Sequence, residues 1–362
     1  MFLAHQINSL VDFYDVTIIA NFDGDIDMLD NISSKIDSIH VPIKRDINLL
    51  FDLKALFLLI IILHRNRFSL VHSVSPKAGL LTSIAAWITR VPCRLHTFTG
   101  QVWMTKKGLG RWFLKLLDKT IVMLNTTILV DSFSQQDFLV KEGILTRGFS
   151  KVLGSGSISG VDVNQFKPSN TDKKCIRRQL NIQNNCLLFL FVGRLKKEKG
   201  VFEAVEAFKQ VSKQQKNVAL IIVGKDEEML RSQLVPTLGP CEAFIKFVDF
   251  TKTPEKYMAA SDIFLMPSYR EGFGSVIIEA ASCGLPSIGS NIYGLSDAIV
   301  EGETGLLVPV KSSKLLEEAM LKLVNNKLRN TMGRNARNRA IHIFSQDKIT
   351  SEILKLYKRL IK

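Results

Sequence analysis

Leu188-Phe-Leu-Phe-Val192 runs directly into Gly193-Arg194-Leu-Lys-Lys-Glu-Lys199-Gly200. A segment from Val201 follows, with Phe202, Val205, Phe208 and Val211 on one face of a helix. Val218-Ala-Leu-Ile-Ile-Val223 then ends at Gly224, and Ala243-Phe-Ile-Lys-Phe-Val248 comes next. Strand, glycine, helix, strand is the repeat of a parallel α/β sheet. Its strands are buried on both faces, so they read as continuous apolar runs rather than alternating ones.

The same alternation occupies the first half of the chain. Residues 16–20, 70–74, 94–98 and 127–130 read as buried strands, and residues 49–65, 77–89, 109–123 and 133–142 as the helices between them. The glycine- and serine-rich stretch Gly154-Ser-Gly-Ser-Ile-Ser-Gly160, continuing to Pro168, interrupts the pattern and reads as a hinge. The expected fold class is α/β, with two Rossmann-like domains facing across a cleft and ligands at the C-terminal ends of the strands. Residues 1–160 form the first domain, 161–340 the second, and 341–362 a C-terminal helix packing back toward the first.

Bulk properties narrow the function. The 362 residues carry 46% hydrophobic and 23% charged side chains, which suits two full cores. The net charge of +14 predicts an acidic partner, whether nucleic acid, anionic lipid or phosphorylated metabolite. Residues 166–362 hold 31 Lys+Arg against 20 Asp+Glu, and much of the excess lies after residue 326 on what read as solvated helix faces. Nucleic-acid binding has charge alone in its favour, with no aromatic RNP-type run, zinc module or compact basic helix-turn-helix. The five cysteines form no CxxC pair, which argues for a reducing compartment. The most apolar run, residues 55–63, is far short of the ~20 residues of a spanning helix and reads as a buried helix of an α/β layer.

The chemistry concentrates in two loops. Arg194 and Lys199 follow the first strand of the second domain, where fixed cations can stabilise a leaving diphosphate without metal. Ser268-Tyr-Arg-Glu271-Gly-Phe-Gly274-Ser-Val-Ile-Ile-Glu279 follows the strand-like run 262–267. Its glycine turn exposes backbone N–H groups at a helix N-terminus, which favours an anion. Glu271 and Glu279 add two acceptors for hydroxyls. The bland alternatives are a solvated basic loop, a helix-start acid and an exposed helix residue. Against the last stands the apolar context of Glu279, Val276-Ile-Ile-Glu-Ala-Ala281, where a carboxylate needs partners.

These elements, in order, resemble the retaining glycosyltransferases of family 4, with the GT-B fold. The resemblance rests on Gly193-Arg194, Glu198-Lys199-Gly200, Glu271-x7-Glu279, Gly284-Leu-Pro286, Gly302-x-x-Gly305-Leu-Leu-Val-Pro309 and Gly160-Val-Asp-Val-Asn-Gln-Phe166, and it spans nearly the whole chain. It implies that Gly193, Arg194 and Lys199 hold the donor diphosphate. Glu271 with the amides of Gly272, Phe273 and Gly274 would hold the transferred sugar, and Glu279 the ribose hydroxyls. The catalytic set it implies is His96, Arg194, Lys199 and Glu271, with no metal and no other cofactor, and none of these reads as a covalent nucleophile.

Residues 1–160 would then be the acceptor side and 161–340 the nucleotide-sugar side. Pro76-Lys-Ala-Gly79 and His96-Thr-Phe-Thr-Gly-Gln-Val-Trp103 resemble bacterial members that build O-antigen, capsule or other lipid-linked glycans. The expected activity is transfer of a hexose from a UDP-linked donor to a lipid-linked saccharide, on the inner face of the cytoplasmic membrane. A nucleotide-sugar epimerase of similar fold is the competing reading.

Two features stand outside this pattern. Residues 106–119 interleave Trp112, Phe113, Leu116 and Leu117 with Lys106, Lys107, Arg111, Lys115 and Lys119. This suits either an anionic membrane surface or a core-packed helix with a wet basic face. Asp23-Gly-Asp-Ile-Asp27 contains Asp-x-Asp, but Met28 and Ser34 break a calcium-loop pattern, and it reads as a polar loop. Family members place a strand and a glycine loop before a segment like residues 2–10, so the first domain is expected to lack its central first strand, and the natural chain to carry roughly 10–20 further residues.

Overall fold

The computed structural model describes residues 3–23, 32–44 and 48–361. Of the Asp23–Asp27 loop only Asp23 falls among them. The chain forms two compact units, residues 1–160 with 346–362, and residues 161–345.

The first unit contains α1 (Ala4–Leu10), β1 (Thr17–Ala20), β2 (Asp37–His40), α2 (Leu49–Asn66), β3 (Leu70–Ser73), α3 (Pro76–Ile88), β4 (Cys93–Phe98), α4 (Gly108–Leu124), β5 (Thr127–Val130), α5 (Phe133–Lys141) and β6 (Ser150–Val152). All pairings are parallel, but the strands form two sheets, β1-β2 and β3-β4-β5-β6. Ile19 of β1 and Val71 of β3 pack into one apolar cluster with Val41, Leu59 and Ala85. In a doubly wound sheet the position between β1 and β3 belongs to the central strand.

The second unit contains α6 (Asn170–Gln179), β7 (Leu187–Val192), α7 (Val201–Gln214), β8 (Val218–Val223), α8 (Leu230–Leu234), β9 (Ile245–Val248), α9 (Pro254–Ala260), β10 (Ile263–Met266), α10 (Ser275–Ser282), β11 (Ser287–Ser290), α11 (Leu295–Ala298), β12 (Gly305–Val308), α12 (Ser313–Lys322) and α13 (Asn326–Phe344). Its six strands pair in parallel in the order β12-β11-β10-β7-β8-β9. In order of appearance this is the 6-5-4-1-2-3 arrangement of a dinucleotide-fold sheet. β8 and β10 are buried at every residue, as their apolar runs require. α7 packs in one face cluster and α10 in the other, so β7 and β10 send their helices to opposite faces.

The last helix, α14 (Gln346–Leu360), belongs to the first unit, where Ile353, Leu356 and Tyr357 pack with Leu10, Leu95 and Leu129. Tyr357 joins a buried polar chain: its hydroxyl lies 2.7 Å from His72 Nδ1, and His72 Nε2 lies 2.7 Å from Thr97 Oγ1. Burial holds His72 at about 4, so its ring is neutral.

Two helices differ from their sequence reading. α2 buries one stripe, Ala55, Leu59 and Leu63, at i, i+4 and i+8. Leu49, Leu50, Leu53 and Phe57 remain exposed. α4 is turned inside out relative to a core-packed helix with a wet basic face. Arg111 and Lys115 reach inward to Glu142, at 2.8 and 3.0 Å, and lie over the Trp103 ring. Leu109, Trp112, Phe113 and Leu116 face outward, Leu109 at 86% and Trp112 at 64% exposure.

Candidate functional site

The strand order of the second unit reverses between β7 and β10, the place where an open α/β sheet offers a crevice at its strand C-termini. The loop leaving β7, residues 193–200, and the loop leaving β10, residues 267–274, meet there. Gly193 N–H donates to Val223 O and Leu195 N–H to Lys225 O, at 3.0 and 2.9 Å, which holds the first loop along the exit of β8. A single 3₁₀ turn over Lys197–Lys199 leads to Gly200, in the left-handed region at φ 73°. A Cβ at Gly200 would fall 2.1 Å from Pro267 O, so only glycine lets the two loops approach.

Charges lock the loops together. Lys199 Nζ donates to Glu271 Oε1 at 2.5 Å. Arg270 grips Glu198 with two bonds of 3.0 Å, and Tyr269 N–H donates to Glu198 O at 2.8 Å. Burial raises the Glu198 carboxyl, but the Arg270 bonds and charge outweigh it, and the net shift is downward. Arg194 and Lys196 share Glu227, at 3.3 and 2.8 Å, so Arg194 sits beside the β8 exit rather than on Glu271.

The turn before α10 is built from backbone. Gly274 is at φ 76°, and a Cβ there would strike Leu295. A Cβ at Gly294 would lie 2.1 Å from Gly272 O. The Phe273 ring is buried against Phe344, so this residue offers only its main chain to a ligand. The N–H groups of Gly272, Phe273 and Gly274 donate to no described protein group and open the N-terminus of α10, where partial positive charge gathers.

Glu279 lies within α10, partly buried, flanked by the buried Ile278 and Ala280. Its carboxylate accepts no hydrogen bond among the described residues. Burial, with a contribution from the Glu255 charge, raises it to about 7. A carboxylate in this state is stabilised by an incoming hydroxyl donor.

His96 belongs to the first unit, at β4, and is 1% exposed. Its Nδ1 lies 2.9 Å from Ser73 Oγ and its ring meets Phe98 edge-on. A Cβ at Gly79 would lie 2.3 Å from the ring, which explains the glycine of Pro76-Lys-Ala-Gly79. Burial, with a smaller effect of His72, lowers His96 to about 3.

The structure thus brings Lys199, Glu271 and the 272–274 amides into one cluster with Glu279 on the same helix turn system, and holds Arg194 at its border. Sequence reasoning missed Arg270, Glu227 and Glu255. Arg270 lay inside the quoted motif and could have been paired with Glu198 as facing opposite charges. Glu227, in the Asp226-Glu-Glu228 run after an apolar strand, carried no spacing signal.

Comparison with known proteins bears on the family and the fold. Residues 172–339 match the family described as "Glycosyl transferases group 1". The chain is 32% identical over 353 residues to the capsular polysaccharide biosynthesis glycosyltransferase CapM of Staphylococcus aureus, covering 96% of this chain and 90% of that one. It is 27% identical over 351 residues to a UDP-Gal:alpha-D-GlcNAc-diphosphoundecaprenol alpha-1,3-galactosyltransferase of Escherichia coli, covering 95% and 89%. The crystal structure of Anabaena HepE in complex with UDP and glucose shares the fold, with a TM-score of 0.82 at 21% identity over 99% of this chain and 95% of that one.

Proposed function

Because the chain belongs to the group 1 glycosyl transferases, of GT-B fold, we propose that it moves a hexose from a UDP-linked donor to a lipid-linked saccharide in surface-polysaccharide synthesis, with retention at the anomeric carbon. The observation that carries the donor assignment is Glu279, a half-enclosed carboxylate without a protein partner among the described residues, on the helix that the open amides of Gly272–Gly274 precede. A ribose diol answers the first and a diphosphate or sugar oxygen the second. The E. coli and S. aureus relatives, by their names, act on a diphosphoundecaprenol acceptor and in capsule synthesis, which supports the acceptor class.

In this reading the bond from the sugar C1 to the diphosphate oxygen breaks with oxocarbenium character. Lys199, Arg194 and the α10 N-terminus take up the charge on the leaving diphosphate. The acceptor hydroxyl attacks C1 from the face the diphosphate leaves, and its proton passes to a diphosphate oxygen. Glu271, fixed by Lys199, receives hydrogen bonds from the transferred sugar. His96 enters as a neutral hydrogen-bonding group, because burial keeps its ring unprotonated and makes it a weak base.

Titration calorimetry with UDP tests the donor half. Ligand hydroxyls bind the ionised form of Glu279 and lower its pKa from about 7, so binding releases a proton. Affinity is expected to fall as pH drops below 7, approaching tenfold per unit. Glu279→Gln should weaken UDP by roughly 10–100-fold, the scale of a lost charged hydrogen bond, and flatten the pH profile. An unchanged affinity in the variant overturns the assignment.

The outward apolar face of α4 supplies the membrane contact. Leu109, Trp112, Phe113 and Leu116 are exposed next to Lys106 and Lys107, and α2 adds Leu50 and Phe57. No helix among the described residues is long and apolar enough to cross a membrane. The full chain is expected to float with phosphatidylglycerol vesicles, and Leu109→Ser/Trp112→Ser/Phe113→Ser to lose at least tenfold in partitioning. Equal flotation of both proteins defeats the contact.

A further inference from the structure

At the other edge of the second unit lies a depression of about 880 Å³. Asp262 stands just before β10 and Pro286 just before β11, so it opens at the N-terminal ends of the strands. The Lys199–Glu271 cluster sits at their C-terminal ends. The two sites therefore occupy opposite edges of one sheet. The volume is that of a small-molecule site.

Its charge is one-sided. Lys173, Lys327, Arg329, Arg334 and Arg337 line it, with Asp262 the one lining carboxylate. Asp262 is already shared between Lys173, at 3.1 Å, and the buried Arg177, at 2.8 Å. Arg329 donates to Leu323 O and Val324 O, both at 2.9 Å, and Arg337 to Ser282 O at 2.6 Å. Carbonyls satisfy the N–H groups but leave the positive charge uncompensated. Burial lowers the Arg329 pKa, the mark of a cation held out of water without a full counter-charge. Lys327 and Arg334 are exposed and have no carboxylate partner among the described residues. A solvated basic face spreads like charges over a convex surface. Here they converge on a concavity, which raises the local potential for an anion.

Neutral donors complete the wall. Ser169, Asn170, Asn326 and Thr331 also line it. Asn326 opens the 19-residue α13, whose Leu328 N–H is taken by the Asn325 cap at 3.0 Å, so the partial positive charge of a long helix borders the same space. Arginine forks, lysines, amides and hydroxyls together match the oxygens of phosphoryl groups, and several cations call for more than one such group.

We propose that this depression is a second anion site, separate from the donor site, that binds a molecule bearing two or more phosphoryl groups. Its source is either a free phosphorylated metabolite or the headgroup of an anionic lipid.

Titration of inorganic pyrophosphate into the full chain, with UMP, which carries a single phosphoryl group, held saturating to occupy the donor site, tests it. One pyrophosphate per chain is expected, with affinity falling as salt rises. Lys327→Glu/Arg334→Glu is expected to weaken pyrophosphate at least tenfold and to leave UDP affinity unchanged. Both positions are exposed, and a glutamate in the first turn of α13 favours the helix, so the variant keeps its fold. Equal pyrophosphate affinity in the two proteins, or no pyrophosphate binding beside UMP, overturns the proposal. Cardiolipin vesicles, whose headgroup carries two phosphates, that displace pyrophosphate from the parent but not from the variant identify the headgroup as the occupant. Failure of vesicles to displace it identifies a free phosphorylated anion. If UDP itself does not bind, the donor assignment falls, and the difference between parent and variant toward pyrophosphate still decides this site.

Discussion

Lys199→Ala is expected to lower kcat by roughly 10²–10³-fold, the scale of about 2.7–4 kcal/mol seen when a preorganised charge-stabilising donor is removed. Among the described residues Lys199 is the one cation seated directly on the Glu271 carboxylate, at 2.5 Å, and both side chains are largely enclosed. Its removal has two consequences. On the proposed mechanism the leaving diphosphate loses a fixed positive charge. Glu271 loses the partner that orients it, so the sugar contact loosens as well. The alternative source of positive charge, Arg194, is held on Glu227 at 3.3 Å and shares it with Lys196. Lys199→Arg should recover only part of the rate, since a planar fork does not reproduce a point charge at that distance. Steady-state kinetics with donor held saturating checks this. A variant with kcat within threefold of the parent removes Lys199 from the reaction. Weaker donor binding at unchanged kcat would assign it to binding alone.

The parts of this architecture that were legible in the sequence are those with a strong period. The apolar runs at 188–192 and 218–223 gave β7 and β8 within a residue, because strands buried on both faces have no other composition open to them. The four helices of the first unit read from the sequence likewise fall within one residue of their observed ends at 49–66, 76–88, 108–124 and 133–141. Side-chain direction was not legible. The sequence of α4 allows its tryptophan or its lysines to face inward, and Glu142, 27 residues beyond Lys115, decides the matter by drawing Arg111 and Lys115 down. The basic stretch after residue 326 is solvated at Lys327, Arg334, Lys348, Lys355, Lys358 and Arg359, but not throughout. Arg337 and Arg339 instead donate to backbone carbonyls of distant segments, contacts that leave no trace in local spacing. At the candidate site the Glu-x7-Glu spacing located both carboxylates. It did not reveal that one is paired and the other open, because the pairing depends on two loops meeting across the sheet's reversal.

Asp262→Ala is expected to destabilise the second unit by about 3–5 kcal/mol, the cost of leaving a buried cation without its counter-ion. Arg177 is 1% exposed. Its Nε donates to Ala260 O and its Nη1 to Gln183 O, Asn184 O and Cys186 O, all between 2.8 and 3.0 Å. Nη2 donates to Asp262, which also accepts the Leu188 N–H at 2.9 Å. One carboxylate therefore ties α6 to the start of β7 and the start of β10, the two strands that carry the site loops. The carbonyls remain after substitution, but none of them offsets the charge, and the Leu188 N–H loses its acceptor. For a unit of this size the loss corresponds to a fall in Tm of roughly 2–4 °C per kcal/mol. Asp262→Asn, which keeps an acceptor for Leu188, should cost less than alanine. The double variant Asp262→Leu/Arg177→Met should not recover the parent's stability, because it removes the orphaned cation but leaves the carbonyls of Ala260, Gln183, Asn184 and Cys186 without their donor. Urea denaturation of the four proteins reads these differences directly. If Asp262→Ala stays within 1 kcal/mol of the parent, the carbonyl cage alone carries Arg177, and the pair is no keystone of the sheet.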